Sequence, residues 1–250
     1  MKHILRLSVV FVSLGLAAVG LQAQTNVYWN FGSGTGTPTQ LSSNVTGGVI
    51  TAFNFDSGYT PAFSPTAPAS TGYTGLHGAA SGVHNASVEV QSFAGPINTL
   101  TDAADPSATY FEFTLAPSSG YALQTSYFEL GSRSKPGGGG AGPSTLTLVA
   151  STDNFTSNFT QLGTTSVTPD GNWALASISF ATTTWATDTP VTFRIYGTDG
   201  SGGIGTRNWQ IDDVTLAIIA VPEPSTYATL ALGLGCLGLR FVRRRPRAAA

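Results

Sequence analysis

The chain has 250 residues, 41% of them hydrophobic and only 10% charged, enough for one sizeable domain plus sorting segments. Its formal net charge of −2 hides an asymmetry, because residues 24–220 hold four basic side chains against twelve acidic ones while both ends are basic. The acidic body excludes a nucleic-acid binder, the single Cys236 excludes a disulfide framework and a cysteine-rich zinc site, and 30 Gly with 14 Pro favour short strands over helices.

At the start, Lys2 and Arg6 lead into an apolar run from Leu7 to Leu21, and Leu21-Gln22-Ala23 ends it on a small residue. These are the parts of a helical export signal, with cleavage expected after Ala23. The run falls short of the ~20 residues of a comfortable membrane span. Residues 1–23 are therefore read as a signal peptide and residues 24–220 as an exported body.

No stretch of the body has helical periodicity, whereas period-two alternation is frequent. Residues 49–55, 87–93, 110–115, 125–130, 145–151, 173–180, 191–197 and 209–219 are predicted strands. Phe111, Phe113 and Leu115 share one face; Leu146 with Leu148, and Val191 with Phe193 and Ile195, do the same in theirs. Turn clusters separate these runs, and 61–87 is the most loop-like segment. Such faces are buried most easily between two packed antiparallel sheets, so the predicted class is all-β, a jelly-roll-type β-sandwich.

Chemistry is sparse along this body. His77 and His84 sit in a Gly/Ala/Ser loop without further regularly spaced ligands, and no Gly-x-Ser-x-Gly elbow accompanies them. The glycine-rich stretches 137–142 and 200–205 match Gly-x-Gly-x-x-Gly, but no helix follows either, so both are loops. Glu89, Glu112 and Glu129 fall in predicted strands and could line one sheet face as glycosidase carboxylates; the plainer reading makes them solvent-facing, one of them opposite Arg194. Trp29, Trp173, Trp185 and Trp209 suit either a sandwich core or stacking on sugar rings. Trp185, between Thr-rich segments, is the first candidate for carbohydrate, with Trp173 beside it.

In the last predicted strand Trp209 and Ile211 share one phase while Val214, Leu216 and Ile218 share the other. The inward face must switch at Asp212-Asp213, as a β-bulge would make it do. Two adjacent carboxylates suit Ca²⁺, so Asp212 and Asp213 are candidate ligands of a structural calcium; the alternative is an exposed acidic strand end. No other cofactor is indicated.

Beyond the body stands Val221-Pro222-Glu223-Pro224, whose prolines should forbid helix and ladder and leave an extended, accessible strip around Glu223. Residues 227–242 follow as a Gly/Leu-rich apolar stretch containing Cys236, about 24 Å long as a helix against ~30 Å of hydrocarbon, a marginal transmembrane helix. Arg240, Arg243, Arg244, Arg245 and Arg247 would pin that end in the cytoplasm, which puts the body on the opposite side, as the export signal does.

The Val221-Pro222-Glu223-Pro224 signature, the short helix and the Arg-rich end together resemble the PEP-CTERM sorting domain of Gram-negative-type bacteria. The resemblance covers residues 221–250. It implies a substrate of exosortase, a membrane-embedded cysteine transpeptidase-like enzyme: first tethered to the inner membrane with its body periplasmic, then at the cell surface or outside it. The second half of the body, ending in Ile211-Asp212-Asp213-Val214, is also similar to the jelly-roll bodies often attached to such tails. Those bodies resemble carbohydrate-binding modules, which often hold a structural calcium near this strand.

The leading reading is thus an exported, non-catalytic cell-surface or extracellular-matrix protein, displayed through its tail by exosortase. The alternative is a carbohydrate-binding module for the cell's own exopolysaccharide. A glycan-active enzyme ranks last, because no triad, metal cluster or poised carboxylate pair stands out. The membrane is a partner only through the C-terminal helix before processing.

Overall fold

A computed structural model describes residues 26–56, 61–63, 69–82, 85–91, 93–137, 140–201, 208–223 and 232. In chain order they form β1 (Asn26–Trp29), β2 (Val45–Gly47), β3 (Thr51–Phe53), β4 (Thr74–Gly75), β5 (Gly78–Ala79), β6 (Ala86–Val88), the short helix α1 (Leu100–Ala104), β7 (Thr109–Pro117) and β8 (Tyr121–Ser134). There follow β9 (Pro136–Gly137), β10 (Gly140–Ala141), β11 (Thr145–Ser151), β12 (Thr160–Ser166), β13 (Trp173–Thr184), β14 (Val191–Thr198) and β15 (Trp209–Pro222). The expected jelly-roll-type sandwich is present.

One sheet has five strands. It runs β1, β15, β8, β13, with β6 also on β15. Both β1 and β6 are antiparallel to β15 and use successive stretches of it: β6 meets Trp209–Ile211, and β1 meets Val214–Ala217. The second sheet has six strands, β12, β11, β14, β7 and β2, with β3 also on β7. β7, β11 and β14 alternate over seven residues or more, whereas β2, β3 and β6 are three residues each, too short for a period-two pattern to stand out.

The faces read from the sequence meet across this sandwich. Phe111, Phe113 and Leu115 of β7, Leu146 and Leu148 of β11, and Val191, Phe193 and Ile195 of β14 are buried in one cluster with Phe128 and Leu130 of β8 and Trp209 and Ile211 of β15. Phe111 meets Trp209 edge-on at 4.9 Å between centroids, while Phe113 lies between Trp29 (4.7 Å) and Phe193 (5.2 Å). The buried Trp29 indole N–H donates to the Gly48 carbonyl at 2.6 Å, which removes the penalty of burying it. Gly197 is small for a reason: a Cβ there would stand 2.8 Å from the Trp209 ring.

A helix was not expected, and α1 departs from that reading. Its five residues are too few to show a period; its start is written in a capping box, Thr99 and Asp102 bonding each other's backbone N–H. Ala103 of α1 packs with Ile97, Ala108, Tyr110, Val149 and Tyr196 in a second buried cluster. Because Tyr110 and Tyr196 alternate with the core residues of β7 and β14, this cluster lies on the outer face of the second sheet. The loop-like segment also contains structure, the tight β4–β5 hairpin.

Residues Thr25–Val221 form one unit. The signal segment, and residues 227–242 apart from Leu232, lie outside the described residues. Among the described residues no helix is long and apolar enough to cross a membrane.

Trp209 fills the space between both sheets and is fully buried. Trp209→Ala should cost about 3–5 kcal/mol of unfolding free energy, from lost burial plus the cavity left behind. Urea denaturation of wild type and variant measures it, and a loss below about 1 kcal/mol would contradict this packing.

Candidate functional site

The phase of β15 switches where the sequence requires it. Trp209 and Ile211 point into the core, as do Val214, Leu216 and Ile218, and between them Asp213 takes a left-handed backbone at φ 48°. The kink turns two carboxylates onto the outer face of the first sheet, against the segment 69–82 that carries the β4–β5 hairpin. Ser70 Oγ and Ser81 Oγ donate to Asp212 Oδ2 (2.5 and 3.0 Å), and the Asp213 N–H donates to Asp212 Oδ1 (2.8 Å). Tyr28 OH donates to Asp213 Oδ1 (2.5 Å); Tyr73 OH and the Ser81 N–H donate to Asp213 Oδ2 (2.8 and 2.9 Å). A third carboxylate extends the cluster: Glu129 of β8 accepts from the Leu76 N–H (2.5 Å) and from Tyr127 OH (2.7 Å). His77, at the hairpin tip, stacks on Tyr28 at 3.9 Å.

These partners overturn the reading of an exposed acidic end, because Asp212 is completely buried. They do not suit calcium either. All four oxygens of the pair already accept from O–H or N–H donors, and among the described residues no three His, Cys, Asp or Glu side chains are grouped to hold a metal ion. Burial, then the neighbouring Asp213 charge, pushes the Asp212 carboxyl up to about 7, against the hydrogen bonds that favour its ionised form. The Tyr28 and Tyr73 hydroxyls are raised well above the ordinary tyrosine value, chiefly by burial. The space left between Tyr28, Tyr73, His77, Glu129 and Leu175 is about 10 Å³, room for no more than a water. The cluster acts as a clasp that fastens the hairpin to the sheet.

The outer face of the second sheet is different. A groove of about 280 Å³ is lined there by Asn54, Leu100, Ala103, Ala104, Tyr110, Asn154, Phe155 and Arg194. On its floor Arg194 of β14 stands directly opposite Glu112 of β7, and its Nε donates to Glu112 Oε2 at 2.7 Å. The guanidinium is sandwiched between the rings of Tyr110 (4.4 Å) and Phe155 (3.8 Å), and its Nη1 donates to Tyr196 OH, which donates on to the Ala103 carbonyl. Asn54, Asn154 and Phe155 have positive φ of 51°, 57° and 60°, so three of the lining residues are held in the left-handed region. The loop bearing the last two is organised by Asp153, which accepts from the N–H groups of Thr156, Ser157 and Asn158.

The other expected positions fall as follows. The three glutamates do not line one face: Glu112 borders the groove, Glu129 joins the clasp, and Glu89 is buried, so only Glu112 keeps its expected arginine partner and neither Glu89 nor Glu129 faces solvent. Trp185 is half-buried against the core, edge-on to Phe193 at 6.3 Å, with its indole nitrogen buried. Trp173 lies 6.4 Å from Tyr73 with its indole nitrogen buried as well. His84 and the Arg cluster lie outside the described residues. The expectation that Pro222 ends ladder pairing early is corrected: β15 runs through Val221 to Pro222, and Val221, Pro222 and Glu223 are half-buried. A proline is tolerated at a strand end because it forfeits one donor there and keeps its carbonyl.

Residues 220–245 match the PEP-CTERM protein-sorting motif family, so the chain carries a PEP-CTERM sorting motif at the end of its sandwich. No curated protein matches the chain. Among solved structures it is similar to the xylan-binding domain of a Paenibacillus barcinonensis protein (11% identity, 82% of this chain and 99% of that one, TM-score 0.40). It is also similar to a cleaved adhesin domain of Lys-gingipain from Porphyromonas gingivalis (14% identity, 77% and 97%, TM-score 0.37). A third similarity is to the C-terminal domain of a chitobiase from Bacteroides fragilis (16% identity, 45% of this chain, TM-score 0.27), of which the chain spans only 65%.

The clasp makes stability depend on pH with a definite sign. Asp212 binds its proton more tightly folded than unfolded, so its contribution is full below about pH 4 and is lost as pH rises through about 7. Asp102, Asp105, Asp153 and Asp170 are shifted the opposite way, and their contributions change only below pH 4. The body should therefore melt at a lower temperature at pH 8 than at pH 5, by several degrees, and Asp212→Asn should flatten this slope. A chelator should leave both curves where they are. Calorimetry across pH checks all three.

Proposed function

We propose that this protein is an exported, non-catalytic surface or matrix protein whose β-sandwich is displayed after exosortase acts on its tail. One observation carries the reading: the sorting motif at residues 220–245 follows directly on β15, the last strand of the body. The N-terminal signal would bring the body to the periplasm, and residues 227–242 would hold it at the inner membrane while the Arg patch stays cytoplasmic. Glu223, flanked by Pro222 and Pro224, is the first residue beyond β15, and exosortase would cut the chain in this stretch. The partners of this reading are exosortase and, before processing, the membrane.

A second reading gives the displayed body a ligand, a carbohydrate of the cell's own exopolysaccharide. The groove on the second sheet favours it, because that groove combines aromatic walls with a charged pair and amide groups in one concave surface.

Changing Pro222 and Glu223 together to Ala should leave full-length protein in the inner membrane, whereas wild type should reach the surface without its last ~25–30 residues. Neutralising Arg243, Arg244 and Arg245 should impair retention, and the protein should escape uncut. Mass spectrometry of the surface fraction checks this. An intact C-terminus at Ala250 would make the tail an ordinary anchor.

A further inference from the structure

We propose that the groove between α1, the 151–160 loop and the outer face of the second sheet binds an uncharged sugar residue of a glycan chain, with Arg194, Glu112 and Asn154 as its polar contacts. The assignment rests on the carbohydrate reading above and places it at specific atoms.

Arg194 uses Nε on Glu112 and Nη1 on Tyr196, which leaves Nη2 without a hydrogen-bond partner among the described residues. Glu112 is in the same position with Oε1, and so is the exposed Asn154 with its whole side-chain amide. Strong donors and a strong acceptor thus stand side by side, partly desolvated, at side-chain exposures of 13% for Arg194 and 20% for Glu112. Neighbouring hydroxyls of a sugar, each both donor and acceptor, match that pairing. The rings on either side hold the guanidinium plane fixed, so little side-chain entropy is lost on binding. Leu100, Ala104 and Phe155 supply apolar surface for the C–H face of a pyranose ring.

Charge narrows the ligand class. Arg194 and Glu112 cancel, so the floor is neutral. The rim is acidic: Asp102 and Asp105 flank Ala103 and Ala104, and Asp153 precedes Asn154. Local hydrogen bonds hold all three carboxyls below their ordinary range and therefore ionised. An anionic saccharide would meet these carboxylates, whereas a cation would find Arg194 offering only donors and Glu112 already paired. An uncharged polyhydroxyl ligand meets neither obstacle, and a volume of about 280 Å³ suits a sugar residue better than a folded peptide.

The test is calorimetric titration of the full chain with cellohexaose, xylohexaose and hexagalacturonate, alongside the Arg194 Nε–H resonance by NMR. Two variants spare the fold. Asn154→Gly removes the amide at a positive φ that glycine adopts freely, and Ala104→Trp fills the groove from an exposed position. The expected result is binding of a neutral hexamer with a shift of the Arg194 resonance. Affinity should fall about fivefold to tenfold in Asn154→Gly and more in Ala104→Trp. Neutral binding that both variants leave intact overturns the groove and spares the carbohydrate reading. Binding of hexagalacturonate alone overturns the neutral class. No binding of any probe overturns the carbohydrate reading itself, while the sorting reading, tested by the C-terminal mass, is untouched.

Discussion

β15 must pair with two separate strands along one edge and still turn apolar side chains inward on both stretches. A regular strand with core residues at Trp209 and Ile211 would place Val214 and Leu216 on the outside. The left-handed step at Asp213 resolves this, and it forces two carboxylates onto the outer surface at one point. Carboxylates forced against a covering segment need donors. The segment 69–82 supplies Ser70, Tyr73 and Ser81, β1 supplies Tyr28, and the hairpin is thereby fastened across the sheet. Gly131 completes the fit, since a Cβ there would collide with the Tyr73 ring. The clasp, the covering hairpin and the pH sensitivity of Asp212 follow from one change of phase.

The same chain of causes explains what could be read in advance. The switch at Asp212-Asp213 was legible because the phases on either side are unambiguous. So were the apolar faces of β7, β11 and β14 and the outward phase of Glu112 and Arg194, although only the fold selects Glu112 from three glutamates as the partner of Arg194. The donors of the clasp were not legible: Ser70, Tyr73 and Ser81 sit in a segment without period and reach Asp212 and Asp213 from more than a hundred positions away. For the same reason the sequence raised calcium as a candidate without showing the hydroxyls beside the pair. A carboxylate pair announces a need for compensation, and only the fold says whether a metal or hydrogen bonds meet it. The contact of Trp185 with Phe193 of the second sheet was equally invisible from its Thr-rich local sequence.

The two outer faces are covered to different degrees. On the first sheet three carboxylates bind the hairpin down and leave about 10 Å³. On the second, α1 and the 151–160 loop approach from two sides, held by the Ala103 carbonyl on Tyr196 and by Phe155 on Arg194, and the gap between them stays open. Arg194 is central to this arrangement. Without Glu112 and Tyr196 its charge would be costly at so small an exposure, and with them it still carries unused donors into the groove.

The placement of the sorting segment also follows from β15. The last core residue of the strand is Ala220, and the Val221-Pro222-Glu223-Pro224 signature begins at the next position, with Val221 and Pro222 only half-buried. Loss of everything beyond the motif therefore removes none of the buried apolar side chains and none of the registered pairs with β1 or β6, which end at Ala217. A tail placed one turn of pleat earlier would carry Ile218 and Ala220 away with it and open the core. Ending the last strand of the body at a proline stops the ladder where the buried core also stops.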